Sequence, residues 1–131
     1  MPNETEEKIS TNLVQISLKY GIRGFIFSNL VKNRNNPAFD REEMTGFANF
    51  KGNFSGKPTE KNANNLLSQT RKKFGKNVAL IGLGGVFSLE DALAKFAAGA
   101  DLIQLITGMI FEGPQLIGEI NRGLAAEGNI K

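Results

Sequence analysis

The sequence of 131 residues contains no cysteine and no histidine. Without cysteine there is no disulfide framework, thiolate nucleophile or zinc–thiolate site, and this composition fits a reducing cytoplasm. Without histidine there is no Ser-His-Asp triad and no imidazole base. A proton transfer would need a carboxylate, a lysine, a hydroxyl or the only tyrosine, Tyr20. No convincing general base is evident, so we predict no catalytic residue and no metal ligand within this chain.

Long hydrophobic runs are also missing, since no apolar segment approaches the roughly 20 residues that span a bilayer. The first residues are polar and acidic, which does not fit a secretory signal. We therefore expect a cytoplasmic location. The net charge is only +3. One basic stretch could contact phosphates or RNA, but a solvated helix face explains it at least as well, so no nucleic-acid partner is predicted; its members are Lys57, Lys61, Arg71, Lys72, Lys73 and Lys76.

The composition, 40% hydrophobic and 22% charged, is typical of one globular domain, which we take as residues 1–131. The chain is too short for a complete (β/α)₈ barrel of about 250 residues. Helices and short apolar strands alternate, starting with a helix over 4–20 that Asn3 would cap with Glu6 as its partner. Its apolar stripe is expected to face the core and consists of Ile9, Leu13, Ile16 and Tyr20.

Strands are predicted at 24–27, 78–81 and 102–106, and further helices at 60–74, 88–99 and about 116–124. Gly21, Gly75 and Gly99 each end a helix shortly before a strand, which forms a weak internal repeat. This alternation predicts an α/β fold with a parallel sheet in the order first, second, third strand, covered on both faces. The outer strands would leave open edges that favour association. Residues 30–59 form a long polar loop, of a length that is usually functional or disordered.

Glycines and hydroxyl residues follow the strands where parallel sheets bind ligands. Gly84 and Gly85 form a turn between the second strand and a helix that Ser88 caps, and Thr107 follows the third strand. Backbone amides and a hydroxyl at such positions can hold a phosphate. The alternatives are a tight turn that needs positive φ and, for Thr107, an N-cap. Two successive strand ends of this kind fit the phosphate site of (β/α)₈ barrels.

Ser28 and Asn29 end the first strand, where a planar amide could recognise a heterocycle or simply form an Asx turn. The segment 52–58 closes the long loop and could act as a lid or as a nest of amides over a ligand. Lys57 in it could contact an anion, although most such lysines are solvated.

Five motifs in order resemble the C-terminal part of the dihydroorotate dehydrogenase family, most closely its quinone-dependent class. They read FIFSN (25–29), NFSGKP (53–58), VALIGLGGVFSLEDA (78–92), AGADLIQLITG (98–108) and FEGP (111–114). The opening Met-Pro-Asn is similar to the turn after the family's fifth barrel strand. The resemblance implies the last three βα units of a (β/α)₈ barrel, FMN as cofactor, and oxidation of dihydroorotate to orotate with a quinone acceptor.

The resemblance also implies site residues. Ser28, Gly56 and Ile106 would contact FMN, and Gly84, Gly85 and Thr107 would hold its phosphate. Asn29 and Leu30 would contact the substrate; Leu30 stands where the family usually has threonine, and Ile106 where it often has tyrosine. The family's catalytic serine, a flavin-contacting lysine and its membrane-associating helices belong to the N-terminal part. The chain is therefore expected to be an inactive C-terminal portion, with a companion chain or self-association completing it.

Two alternatives stay open. One is a fragment of another phosphate-binding barrel enzyme, such as a different flavin reductase or a sugar-phosphate enzyme. The other is a non-catalytic half-barrel that associates through its open sheet edges.

Overall fold

A computed structural model describes residues 1–128 of the chain. Helices and strands alternate along most of it, as predicted. The elements in chain order are α1 (Glu7–Lys19), β1 (Gly24–Phe27), α2 (Arg41–Thr45), α3 (Glu60–Phe74), β2 (Ala79–Leu83), α4 (Leu89–Ala97), β3 (Leu102–Gln104), α5 (Thr107–Glu112) and α6 (Gln115–Ala126).

The strands form a parallel sheet in the order β1-β2-β3, which confirms the predicted order. Phe25 and Phe27 of β1 and Leu80 of β2 are buried on the helix side of the sheet. Ile26 and Leu102 point to the other face and are 42% and 62% exposed. The prediction that both faces are covered is thus wrong for residues 1–128, because the helices cover one face only.

The core has two parts on the helix side of the sheet. The larger one packs α1 and α3 against β1 and β2, through Val14, Leu66, Leu67 and their neighbours. The smaller one joins α4 and α6 through Ala92, Leu116 and Ile120. Burial of apolar side chains therefore holds the helices against the sheet and against each other. In the described part of the chain, the uncovered face of the sheet contributes no residues to either cluster.

Helix α1 turns a different face to the core from the one the sequence predicts. Ser10 and Val14 are buried, whereas the apolar stripe is exposed: Ile9 51%, Leu13 44%, Ile16 52% and Tyr20 81%. Adjacent helix residues point about 100° apart, so this rotation follows from packing Ser10 and Val14 inward. Ile22, just after α1, is exposed as well, and we call these five exposed residues together the N-terminal flank.

Of the two N-cap predictions, the one for α4 is confirmed and the one for α1 is wrong. Ser88 caps α4, since its hydroxyl accepts a hydrogen bond from the Asp91 amide at 3.3 Å. Asn3 does not cap α1; Glu6 occupies the N-cap position and makes no side-chain capping bond. Gly21 and Gly99 have φ of 80° and 104°, so glycine ends those helices as predicted.

The loop predictions need small corrections. The connection after β3 contains the short helix α5, and residues 105–106 lie outside β3. The long polar loop contains α2 and an aromatic cluster around Phe54, with Arg34 stacked 5.1 Å from its ring. Of the two outer strands, β1 is partly paired, because the Met1 amino group donates to Ile26 O at 3.0 Å. Within residues 1–128 no helix is long and apolar enough to cross a membrane.

Candidate functional site

A cavity of about 280 Å³ opens where the strands end. The segments around it are the end of β1, the end of the long loop, the turn after β2 and the start of α5. Every residue predicted for the site lines this cavity: Ser28, Asn29, Leu30, Gly56, Gly84, Gly85, Ile106 and Thr107. Its volume is close to the lower end of the range for small-molecule sites, about 300–1,000 Å³.

The turn after β2 is forced by its glycines. Gly84 and Gly85 have φ of 93° and 76°, a region that L side chains rarely adopt. A Cβ on Gly84 would overlap Thr59 Oγ1, and one on Gly85 would overlap Glu60 Cβ and lie 3.0 Å from Glu60 Cα. The turn therefore packs directly on the start of α3. Within residues 1–128 the amides of Gly84 and Gly85 donate to no acceptor, so both are available at the cavity.

The end of β1 places a hydroxyl and an amide side chain side by side. Ser28 is buried, and its amide donates to Leu83 O at 3.3 Å. Asn29 is exposed, and its Oδ1 accepts from the Leu30 amide at 2.9 Å. This bond reaches the next residue, not the amide two residues on, so the Asx turn expected of Asn29 is not formed. The Nδ2 of Asn29 stays free of protein acceptors in the described part of the chain.

Thr107 is the first residue of α5 and has no capping role, because no side-chain bond caps that helix. Its hydroxyl instead donates to Ser55 Oγ at 3.0 Å, which links the start of α5 to the long loop. A Cβ on Gly56 would meet Thr107 Cγ2 at 3.3 Å, so glycine is needed for this close approach.

Asn3 is a site residue that the sequence did not reveal. It is fully buried, and its Nδ2 donates to Ser28 Oγ at 2.6 Å and to Thr59 O at 2.7 Å. Thr59 Oγ1 in turn donates to Gly56 O at 2.7 Å. Asn3 thus holds two residues of the cavity lining, Ser28 and Thr59, in place. In the sequence, the only indication of this role is its position in the turn that is similar to the one after the family's fifth barrel strand.

Lys57 does not offer a free cation to the cavity. Its ammonium pairs with Asp91 and, at 3.2 Å, with Glu60. Burial alone would lower the pKa of Lys57, but the hydrogen bonds that its ammonium donates to these two carboxylates outweigh burial and raise that pKa. The Asp91 carboxylate also accepts from the Phe87 amide at 2.8 Å, so the pair joins the long loop to the start of α4.

In contrast to Lys57, another lysine is buried, on the helix side of β2. Lys95 is fully buried, and its Nζ donates to Asn64 Oδ1 at 2.7 Å. Burial lowers the pKa of Lys95 to about 8. A Cβ on Gly82 would lie 3.1 Å from Lys95 Cδ, so the lysine stem packs against the strand that leads into the glycine turn.

The basic stretch around Arg71 is engaged within the protein. Arg71 and Lys76 both pair with Asp101, at 2.5 and 2.9 Å. Burial would raise the pKa of Asp101, but hydrogen bonds from the Leu80 amide and these two cations outweigh it and lower that pKa to about 2. Within residues 1–128 no group of three acidic side chains converges as a metal site.

The comparisons with known proteins agree on one family. A family-wide sequence profile described as dihydroorotate dehydrogenase matches residues 1–127. The chain belongs to the dihydroorotate dehydrogenase family. It is 42% identical over 125 residues to a Rhizobium meliloti protein named dihydroorotate dehydrogenase (quinone), and this match covers 95% of the chain. A Verminephrobacter eiseniae protein of the same name is 38% identical over 84% of the chain. The predicted resemblance to the quinone-dependent class is confirmed.

The chain spans about a third of the length of these relatives, 33% and 29% respectively. Among solved structures, DHODH of Eimeria tenella in complex with ferulenol superposes with a TM-score of 0.81 at 22% identity, over 95% of this chain and 32% of that one. The ligand-free form gives 0.81 at 21% identity, over 98% and 35%. This similarity of fold confirms the predicted partial (β/α)₈ barrel.

Proposed function

We propose that this chain forms the FMN-binding part of a quinone-dependent dihydroorotate dehydrogenase, which oxidises dihydroorotate to orotate in de novo pyrimidine biosynthesis. One observation carries the proposal: the residues that match the family's cofactor and substrate positions, far apart in sequence, line one cavity. FMN supplies the hydride acceptor when bound. The residues of this chain bind and orient it.

The turn at Gly84 and Gly85 fits a phosphate. Two consecutive residues with positive φ leave both amides without a protein acceptor at the cavity, and such a nest attracts anions. The Thr107 hydroxyl, which lies at the same cavity, adds a donor that can reach a phosphate oxygen once its bond to Ser55 is exchanged. Ser28, Gly56 and the backbone amide of Ile106 would contact the rest of the cofactor.

Asn29 would recognise the pyrimidine ring. Its Nδ2 is free to donate to a ring carbonyl, while its Oδ1 is held by the Leu30 amide. Leu30 lacks the hydroxyl that the family usually offers at its position, so we expect substrate affinity to depend on Asn29 more than on Leu30. The cavity lining contains hydroxyl, amide and apolar groups but no carboxylate, lysine or histidine among the described residues.

The catalytic base and the quinone site would therefore come from further barrel units, on the same polypeptide or on a companion chain. Two exposed apolar surfaces support this. One is the N-terminal flank. The other, which we call the C-terminal flank, extends from β3 through α5 to the start of α6 and contains Leu102, Ile106, Ile110, Phe111 and Ile117. Exposed apolar surfaces of this extent favour association with a partner or a second copy.

Titrating the 131-residue chain with FMN and following flavin fluorescence tests the proposal. We expect saturable binding with a Kd on the order of high micromolar to millimolar, because two or three charge-assisted hydrogen bonds must offset the entropy of association. Orotate should bind measurably better to the FMN-loaded chain than to the free chain. Absence of saturable FMN binding would contradict the proposal, and binding of FMN without any effect of orotate would favour another flavin barrel enzyme.

A further inference from the structure

We propose that Asn3 is a positioning residue of the cavity, which makes Ser28 a hydrogen-bond donor toward the bound ligand and fixes Thr59 beneath the glycine turn. The identity of that ligand, FMN, rests on the proposed function. The contacts that assign the role to Asn3 do not depend on it.

The direction of the Asn3 amide is determined by its partners. Nδ2 lies 2.7 Å from Thr59 O and 2.6 Å from Ser28 Oγ. A carbonyl oxygen can only accept, so the Asn3 atom that faces Thr59 has to be the nitrogen. The same nitrogen then donates to the Ser28 hydroxyl oxygen.

This arrangement decides what Ser28 can do. Because its oxygen accepts from Asn3, its hydroxyl proton has to point elsewhere. Ser28 is 2% exposed and lines the cavity, and its hydroxyl donates to no other group within residues 1–128. The hydroxyl is thus left to donate to an acceptor atom of a ligand in the cavity.

The second bond of Asn3 acts on the opposite wall. Thr59 donates its hydroxyl to Gly56 O at 2.7 Å, and its side chain occupies the space that a Cβ on Gly84 would need. Asn3 therefore fixes the end of β1 relative to both Gly56 and Gly84. Its own Oδ1 is buried without a partner in the described part of the chain. A buried polar atom without a partner calls for a reason, and here the reason is that the donor end serves the site.

The test compares Asn3→Asp, Ser28→Ala, the double variant and a control, Thr70→Val. Asn3→Asp keeps the shape but replaces the donor by an acceptor, so Ser28 would turn its proton toward the new carboxylate. We expect FMN Kd to rise about five- to tenfold for either single variant. The double variant should raise the FMN Kd by less than the product of the two single increases, because the Asn3–Ser28 hydrogen bond is shared by both substitutions, while the bond of Asn3 to Thr59 O is lost in Asn3→Asp alone. Thr70→Val removes a buried hydroxyl that bonds only Leu66 O, so its FMN Kd should not change.

An Asn3→Asp variant with the FMN affinity of the unaltered chain would overturn the proposal, and so would additive effects of the two substitutions. If the unaltered chain bound no FMN, the proposed function would fail while Asn3 could still be judged by amide hydrogen exchange. Asn3→Asp should then accelerate exchange of the Asn29 and Thr59 amides, whose bonds to Met1 O and Gly56 O it loosens, and leave β3 unchanged. Equal exchange at Asn29 and Thr59 in both proteins would overturn it.

Discussion

Replacing Gly85 by alanine should damage both the stability and the ligand site, and Gly21→Ala provides a matched control. Gly85 has φ of 76° and Gly21 has φ of 80°, so alanine at either position would have to adopt a left-handed backbone conformation, which costs about 1–2 kcal/mol. A Cβ at Gly21 meets nothing within 4 Å, whereas one at Gly85 overlaps Glu60 and lies 3.0 Å from its Cα. Overpacking of that kind adds about 1–3 kcal/mol. We therefore expect Gly85→Ala to lose about 2–5 kcal/mol and Gly21→Ala about 1–2 kcal/mol.

Urea unfolding of both variants measures these losses, and FMN titration measures the site. The turn at Gly85 has to move away from Glu60, so an amide that holds the phosphate is displaced and one charge-assisted hydrogen bond, worth about 1.5–3 kcal/mol, is lost. FMN affinity should fall about tenfold or more in Gly85→Ala and stay unchanged in Gly21→Ala. Equal losses of stability in the two variants would refute the packing argument. Unchanged FMN affinity in Gly85→Ala would refute the phosphate assignment.

Three further predictions concern pH, substrate and association. The pKa of Lys95 is lowered from 10.5 to about 8, so the unfolded state binds more protons than the folded state between pH 8 and 10.5. The free energy of unfolding should therefore rise by up to about 3 kcal/mol over this range. Urea unfolding at pH 8 and at pH 10.5 measures the rise, and Lys95→Met should abolish it. Asn29→Ala should leave FMN affinity nearly unchanged and weaken orotate binding to the FMN-loaded chain, as calorimetry would show; a larger effect on FMN than on orotate would contradict the assignment. The 131-residue chain should self-associate in sedimentation at concentrations on the order of tens of micromolar, and the double variant Ile16→Lys, Phe111→Lys should associate less. A sharp monomer peak for the unaltered chain would contradict association through the two exposed flanks.

The sequence was sufficient for features that neighbouring residues determine. The strands, their order and the Ser88 cap follow from local apolar runs and a serine three residues before Asp91. The grouping of Ser28, Asn29, Gly84, Gly85 and Thr107 was also predictable, because the carboxyl ends of parallel strands converge on one edge of the sheet. Leu30, Gly56 and Ile106 were predicted only through the family resemblance.

Features set by distant contacts could not be predicted in this way. Asn3 matches a capping pattern, but its actual partners Ser28 and Thr59 lie 25 and 56 residues away. The apolar stripe of α1 has ideal helical spacing, yet the side of α1 that becomes buried is the one that contacts α3. That side carries Val14, which packs with the buried leucines of α3. A hydrophobic stripe indicates that some apolar surface covers it, and within residues 1–128 no such surface does.

Comparing FMN with riboflavin tests the central claim most directly, because riboflavin differs from FMN only in lacking the phosphate. Both flavins are titrated into the 131-residue chain under identical buffer conditions without phosphate, and their fluorescence is followed. If Gly84, Gly85 and Thr107 hold the phosphate, FMN should bind at least about tenfold more tightly than riboflavin, and inorganic phosphate should compete with it. Equal affinity for the two flavins, or no saturable binding of FMN, would contradict the account.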